Sequence, residues 1–195
     1  MNLATDPDTQ YAGQKMKGLQ MSGQIIIEKE FEKCTFEKCN LLECSFIRCK
    51  FIDCIFVDSM VSAVKFKNCV ILNVTFRNSK VMGIDWSLAE KTRQLQFEDC
   101  VVSLTNLTFV RYADLRMLNC QAREVSFMDA DCSGASFVGT DFEKCIFLRT
   151  NLTGADFRKA RNYSIDISNS IIKKAIFSFP EAVSLLSGMD IILED

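Results

Sequence analysis

The chain has 195 residues, a hydrophobic content of 48% and a formal net charge of −2 at pH 7. One soluble domain with a substantial core is therefore expected. No run approaches the roughly 18 apolar residues of a membrane-spanning helix, and the polar N-terminus lacks a signal-peptide pattern, so the sequence predicts a cytoplasmic protein without membrane contact.

Residues 1–28 are predicted to form an N-terminal tail and a degenerate first coil or cap. Apolar residues recur every five positions at Met16, Met21 and Ile26, but a polar residue, Gln24, stands two places before Ile26. A repeat that weakens in this way at one end is typical of a capping segment, since an open solenoid end exposes unpaired strands and core.

The next part of the chain repeats with a period of five residues. From Phe31 a large residue occupies every fifth position as far as Trp86, and after an offset of one residue the series resumes at Phe97 and continues to Phe177. Fourteen of the sixteen phenylalanines lie in this series, and nine of the ten cysteines lie two residues before it. This period is neither that of a helix nor that of a strand, so the repeat itself decides the architecture.

The repeating unit resembles the pentapeptide repeat family. The segments that carry the resemblance include Cys34-Thr-Phe-Glu-Lys, Ala135-Ser-Phe-Val-Gly and Ala155-Asp-Phe-Arg-Lys. The resemblance spans about residues 29–179 and implies an all-β fold, a right-handed quadrilateral parallel β-helix of about seven coils. Each coil then contains four pentapeptides, with the large and the small residues both pointing inward.

In such a coil, residues twenty apart stack on each other and form ladders along the axis. One ladder would contain Phe36, Phe56 and Phe76, and another would contain Phe97, Phe137 and Phe157. Four residues depart from the large-residue series: Tyr112, Ala122, Cys132 and Asn162. These departures predict a local bend.

The cysteines are interpreted as small apolar core residues. The chain has no histidine and no Cys-x-x-Cys, so we expect neither a zinc site nor any other metal or cofactor site. Pairs such as Cys34 and Cys54 stack within disulfide reach, but free thiols are expected in a reducing compartment.

The repeat is interrupted at residues 87–96. A bulge or short outward loop is expected there, and it would place Glu90, Lys91 and Arg93 in solvent. Insertions of this kind often bind partners, so these three residues form a candidate partner loop. The alternative is a tolerated one-residue bulge that binds nothing.

Residues 180–195 are predicted to form a C-terminal helix and a short strand over Ile191–Leu193. Pro180 and Glu181 suit the first turn of the helix and Gly188 suits its end. One face of this helix is apolar and comprises Ala182, Leu185, Leu186 and Met189. The resemblance to Qnr- and MfpA-like members implies a homodimer through this segment, and the alternative is that it only caps the monomer.

The same resemblance implies a function, binding to DNA gyrase or topoisomerase IV as a DNA mimic, with protection from quinolones as one consequence. Residues 97–195 carry a net charge of −4, and their candidate acidic surface comprises Asp131, Asp141, Asp156 and Asp166. The alternative function is a structural or protein-interaction scaffold whose partner is unrelated to DNA. Catalysis is not expected, because no nucleophile arrangement or phosphate loop is present, and no basic cluster indicates direct nucleic-acid binding.

Overall fold

The computed structural model describes residues 2–109, 111, 114–189 and 191. Two 3₁₀ helices are present in this part of the chain, Trp86–Leu88 and Glu181–Met189. The strands are β1 (Gln10–Ala12), β2 (Lys15–Lys17), β3 (Ile25–Ile27), β4 (Glu30–Glu32), β5 (Thr35–Glu37), β6 (Ser45–Ile47), β7 (Lys50–Ile52), β8 (Ile55–Val57), β9 (Met60–Ser62), β10 (Lys65–Lys67), β11 (Val70–Arg77), β12 (Lys80–Met82), β13 (Lys91–Glu98), β14 (Arg116–Leu118), β15 (Asp156–Phe157) and β16 (Ile176–Phe177).

The strands pair in parallel with strands of the next turn, twenty residues along the chain before the interruption. These pairings form four ladders, and we name the four sides of the rod faces A to D. In the first four turns the inward residues are Tyr11, Phe31, Phe51 and Ile71 on face A, Met16, Phe36, Phe56 and Phe76 on face B, Met21, Leu41, Val61 and Val81 on face C, and Ile26, Phe46, Phe66 and Trp86 on face D.

The predicted parallel β-helix is confirmed, and it has about eight turns. The sequence predicted about seven coils over residues 29–179, with a tail and a degenerate first coil or cap over residues 1–28. Residues 10–27 form a complete turn, in which the ring of Tyr11 stacks on that of Phe31 at 5.1 Å between centroids. Ile26 pairs with Phe46 on face D in the same way.

The phenylalanines stack along the axis. On face B the ring centroids of Phe36 and Phe56 are 4.5 Å apart, and those of Phe56 and Phe76 are 4.8 Å apart. The ring of Phe76 also stacks on that of Phe97 at 5.4 Å. The two ladders predicted from the sequence are therefore one, which continues across the interruption.

The corners between faces have left-handed backbone. Residues two places after the large residue have positive φ, for example 52° at Lys33 and 54° at Asp53. Asparagine, aspartate and glycine tolerate this conformation best, which explains why polar residues and glycine recur at this place in the repeat.

The interruption is narrower than the predicted range 87–96. The backbone makes one 3₁₀ turn after Trp86, and Asp85 caps it by accepting hydrogen bonds from the Ser87 backbone N–H (3.0 Å) and hydroxyl (2.6 Å). The ladder resumes at once, because Ile71 pairs with Thr92. Thr92 is buried in the place of a large residue, so only one extra residue separates the two parts of the repeat.

The N-terminal end of the rod is covered by residues 2–9. Leu3 is fully buried against the core, and the hydroxyl of Tyr11 donates to the Asp8 carbonyl at 3.0 Å. Lys29 is buried in the small-residue position, and its ammonium donates to the carbonyl oxygens of Asp6 (2.6 Å) and Asp8. Carbonyl oxygens from the covering segment thus satisfy a cation that the repeat turns inward.

The last turn departs from the repeat at Asn162. Asn162 points outward with a φ of 57°, and its side-chain amide donates to Asp141 at 2.8 Å. Tyr163 is buried in the place of the large residue, so the departure from the repeat that the sequence predicts at Asn162 is present. Tyr112, another departure from the repeat, lies outside the described residues.

The C-terminal segment forms the 3₁₀ helix Glu181–Met189. Of its predicted apolar face, Ala182, Leu185 and Leu186 are half-buried, and Leu185 packs against the core, whereas Met189 is 54% exposed. The short strand predicted over 191–193 lies largely outside the described residues. Among the residues described, no helix has the length and apolarity needed to cross a membrane.

Candidate protein-interaction surface

The described residues contain no group of three or more histidine, cysteine, aspartate or glutamate side chains that could hold a metal ion. All ten cysteines are free and buried. Burial raises the pKa of Cys54 and of Cys145 to about 12, so these two thiols stay protonated at neutral pH. The cysteines fill the interior as small apolar groups, as the sequence predicted.

The four candidate acidic residues lie on four different faces. Asp131 pairs with Asn151 on face A, and Asp156 pairs with Ile176 on face B. Asp141 pairs with Arg161 on face C, whereas Asp166 follows Ile165, which pairs with Phe147 on face D. Each pentapeptide turns the chain by one face, so the structure does not bring these carboxylates together as one acidic surface.

Each of these carboxylates also has a partner within the chain. Asp156 accepts hydrogen bonds from Arg158, which lower its pKa, and Asp166 accepts from Asn169 with the same effect. Burial opposes ionisation of Asp141, but hydrogen bonds from Asn162 and Arg161 outweigh it and lower the pKa. Such internally paired carboxylates imitate the free phosphates of a duplex poorly.

Asp131 accepts from the Asn151 side-chain amide at 2.9 Å and from the Ser133 backbone N–H at 3.1 Å. It therefore resembles the other three in being held by its own chain. None of the four is a free carboxylate in the described structure.

The candidate partner loop is exposed but does not project. Glu90, Lys91 and Arg93 all face solvent, and Lys91 and Arg93 flank the buried Thr92 on strand β13. The backbone N–H groups of Glu90 and Lys91 donate to the Cys69 carbonyl at 3.0 and 3.3 Å. The extra residue is absorbed by the 3₁₀ turn, so these side chains belong to face A and its edge rather than to an outward loop.

Exposed apolar side chains are concentrated on face D. The structure describes thirteen large apolar residues as exposed. Six lie on face D or at its edges: Ile25, Ile27, Leu88, Leu104, Phe109 and Ile146. Six lie at the C-terminal end: Ile171, Ile176, Phe179, Val183, Met189 and Ile191. Only Met60, on face C, lies elsewhere among the described residues.

Face D is also uncharged over three turns. The outward side chains beside the buried Leu107, Phe127 and Phe147 are Asn106, Thr108, Ser126, Met128, Ile146 and Leu148. A cavity of about 380 Å³ adjoins Ile146 and Leu148 where the last turn begins, and Ser164 and Asp166 line its other side. We call face D from Leu88 to Leu148, with its two edges, the apolar face.

Two edge residues of the apolar face are unusual for their backbone conformation. Leu104 and Phe109 have φ values of 55° and 57° and are 58% and 74% exposed. They are the only large apolar residues among the described positions with positive φ. A bulky apolar residue rarely adopts this conformation, and both side chains face water instead of packing against the monomer.

Two sequence models match the chain. One, described as a pentapeptide repeat region, matches residues 29–100, and the other, described as pentapeptide repeats in eight copies, matches residues 126–161. Together they cover more than half of the chain. The chain belongs to the pentapeptide repeat family.

Several solved structures are similar to this one. A trypsin-treated form of QnrB1, described as a plasmid-mediated fluoroquinolone resistance protein, is 21% identical over the whole of both chains, with a TM-score of 0.45. HetL from the cyanobacterium Nostoc sp., described as involved in heterocyst differentiation regulation, is 11% identical over 89% of this chain and 88% of its own, with a TM-score of 0.46. ORF18 of Geobacillus virus E2 is 12% identical over 86% of this chain and 51% of its own, with a TM-score of 0.45. No curated protein matches the sequence.

The sequence of this pentapeptide repeat protein contains the apolar face, but sequence reasoning missed it. The signal is the column of outward residues read every twenty positions, for example Ser126 and Ile146. Assigning that column to one face beyond Trp86 needs the position of the extra residue, which the structure supplies.

Proposed function

We propose that this pentapeptide repeat protein is a non-catalytic, cytoplasmic rod that binds another protein through the apolar face. The observation that carries the proposal is the concentration of exposed apolar side chains on one of four faces. Burial against a partner would remove these side chains from water, which is the main favourable term in protein association.

The composition of the apolar face suits such a contact. The outward positions of face D itself carry hydroxyl, amide and apolar groups over three turns, and charged residues such as Asp129 and Arg149 lie only at its edges, so an interface there would keep its charges at the rim. The side chains are held on stacked strands, and little conformational freedom is lost when a rigid surface binds. Phe109 and Leu104 at the edges would be the anchors, because large side chains that enter a partner's pockets dominate binding energy.

Site-specific photo-crosslinking in cells tests this proposal. A photoreactive residue replaces Ser126 on face D in one variant and Ser136 on face B in the other. The two serines form a matched pair, because each is half-buried and each directly precedes a buried phenylalanine. We expect a discrete crosslinked protein from position 126 and none from position 136. Equal crosslinking from both positions, or none from either, would show that the apolar face has no special role.

A second candidate partner is a type II topoisomerase, DNA gyrase or topoisomerase IV, bound by the rod as a DNA mimic. The net charge of −4 in residues 97–195 favours it, since a surface that receives DNA phosphates attracts acidic groups. The pairing of Asp131, Asp141, Asp156 and Asp166 on four faces weighs against it, so mimicry would have to rest on other carboxylates.

Gyrase supercoiling with the purified protein titrated in, with and without a fluoroquinolone, tests the topoisomerase hypothesis. Inhibition, or rescue from the drug, would support it. If supercoiling is unchanged and topoisomerase IV is also unaffected, the partner is unrelated to DNA and the rod functions as an interaction scaffold.

We also propose that the rod forms a homodimer through its C-terminal end. The exposed apolar residues there include Phe179 (87%) and Val183 (42%), whereas Leu185 packs against its own core. Light scattering should give the mass of two chains for the native protein and of one chain for Phe179→Ser. Met60→Ser, on face C, is the control and should stay dimeric. A monomeric native protein would leave the C-terminal helix with a capping role alone.

A further inference from the structure

A groove runs along the edge where the apolar face meets face A. Its volume is about 320 Å³, and it extends from Phe109 at one end to Ile171 at the other. Both end residues are exposed apolar side chains, 74% and 56% exposed respectively. Between them the groove is lined by charged and polar side chains, among them Arg111, Asp129 and Asn151.

The ladder on face A sets the length of the groove. Arg111 pairs with Asp131, Asp131 with Asn151, and Asn151 with Ile171, so three strand spacings separate the two ends. At about 4.8 Å per spacing the ends are about 14 Å apart. An extended chain rises about 3.3 Å per residue, so about four residues of a bound segment would span this distance.

Of the four charged residues that line the groove, two are paired with each other. Arg149 donates two hydrogen bonds to Asp129, at 2.6 and 2.8 Å. Asp131 accepts a hydrogen bond from the Asn151 amide. Arg111 differs from these residues, because in the described structure its guanidinium makes neither an ion pair nor a side-chain hydrogen bond.

A second unpaired guanidinium lies close to Arg111. Arg93 and Arg111 both line a neighbouring cavity of about 440 Å³ on face A, together with Gln94 and Asp114. Arg93 likewise makes no ion pair with any described residue, Asp114 included. Guanidinium groups bind carboxylates with two parallel hydrogen bonds, so the two guanidiniums that lack an ion pair favour a ligand that presents a carboxylate at this end of the groove.

We infer that the groove binds an extended acidic segment of a protein partner. Two apolar side chains of the segment, about four residues apart, contact Phe109 and Ile171, and a carboxylate next to the first one binds Arg111. The inference rests on the proposed function, because the groove borders the apolar face and Phe109 belongs to both. It adds the chemistry of the partner, which must present acidic residues beside apolar ones.

Selection of a random-peptide phage library on the immobilised full-length protein tests the inference. Enriched peptides are synthesised with a fluorophore, and their affinity is measured by anisotropy. We expect peptides with an acidic residue between two apolar residues, and about tenfold or greater weakening by Arg111→Glu and by Phe109→Ser. Raising the salt concentration should also weaken binding.

Two matched variants act as controls. Arg116→Glu reverses an exposed arginine five residues further along, on face B, and Met60→Ser removes an exposed apolar residue on face C. Both should leave peptide affinity unchanged.

No enrichment, enrichment of basic peptides, or binding that survives Arg111→Glu would overturn the inference, as would preferential binding of single-stranded DNA. Crosslinking from position 126 together with a failed peptide selection would overturn the groove alone and leave the proposed function standing.

Discussion

Replacing Phe56 by alanine tests whether the stacked phenylalanines hold the rod together. The side chain is 1% exposed, and its ring lies almost parallel to those of Phe36 and Phe76, with interplanar angles of 7° and 14°. The strands on either side are fixed by the ladder, so the structure cannot close around the cavity. Loss of the ring should cost about 3–5 kcal/mol. Loss of two stacked pairs, each worth about 0.5–1.5 kcal/mol, places the expected value at the upper end.

The matched control is Phe109→Ala, which removes the same side chain from a 74% exposed position. We expect a change of less than about 0.5 kcal/mol for this variant. Urea unfolding followed by circular dichroism gives both values, and hydrogen exchange shows whether the loss is centred on strands β5, β8 and β11, since a solenoid can open locally. A loss below about 1 kcal/mol for Phe56→Ala, or equal losses for the two variants, would refute the stacking argument.

Three further predictions concern the cap, the acid sensitivity and the thiols. Lys29→Met should cost about 1–3 kcal/mol and speed hydrogen exchange in residues 2–9, because the carbonyls of Asp6 and Asp8 lose a buried donor; unchanged exchange would show that Lys29 does not hold the cap. The pKa of Asp141 is lowered by folding. The carboxylate therefore contributes to the free energy of unfolding above its unfolded pKa of about 3.9, and this contribution is lost as pH falls through the pKa of the folded state. Urea midpoints should therefore fall less steeply on acidification in Asp141→Asn, and parallel pH profiles would contradict this. The Cys54 thiol, with a pKa of about 12, should react with a thiol reagent at pH 8 only after unfolding, and labelling of native protein would disprove its burial.

Much of the fold is predictable because the five-residue repeat can be recognised in the sequence. A large residue at every fifth position, with cysteine or another small residue two places earlier, leaves one way of burying both columns, and Phe36, Phe56 and Phe76 stack as their spacing of twenty predicts. The position of Lys29 was harder to interpret, because its burial depends on carbonyls of a segment that has no repeat of its own.

The interaction surface was less predictable. Asp131 and Asp141 are ten residues apart in an acidic part of the chain, but two pentapeptides turn the chain by two faces, so they lie on faces A and C. Their hydrogen-bond partners, Asn151 and Arg161, lie one turn away and cannot be identified from the linear sequence alone.

The sequence by itself determined the repeat, the family and the inward column, because a side chain's place in a five-residue unit decides whether it faces the core. Only the tertiary structure decided which outward residues share a face. The extra residue after Trp86 shifts every later face assignment, and its position depends on how the backbone turns at Asp85 and resumes pairing at Thr92. Leu104, Phe109 and Ile146 therefore lie on one apolar face because successive turns of the rod, about twenty residues apart in sequence, pair with each other.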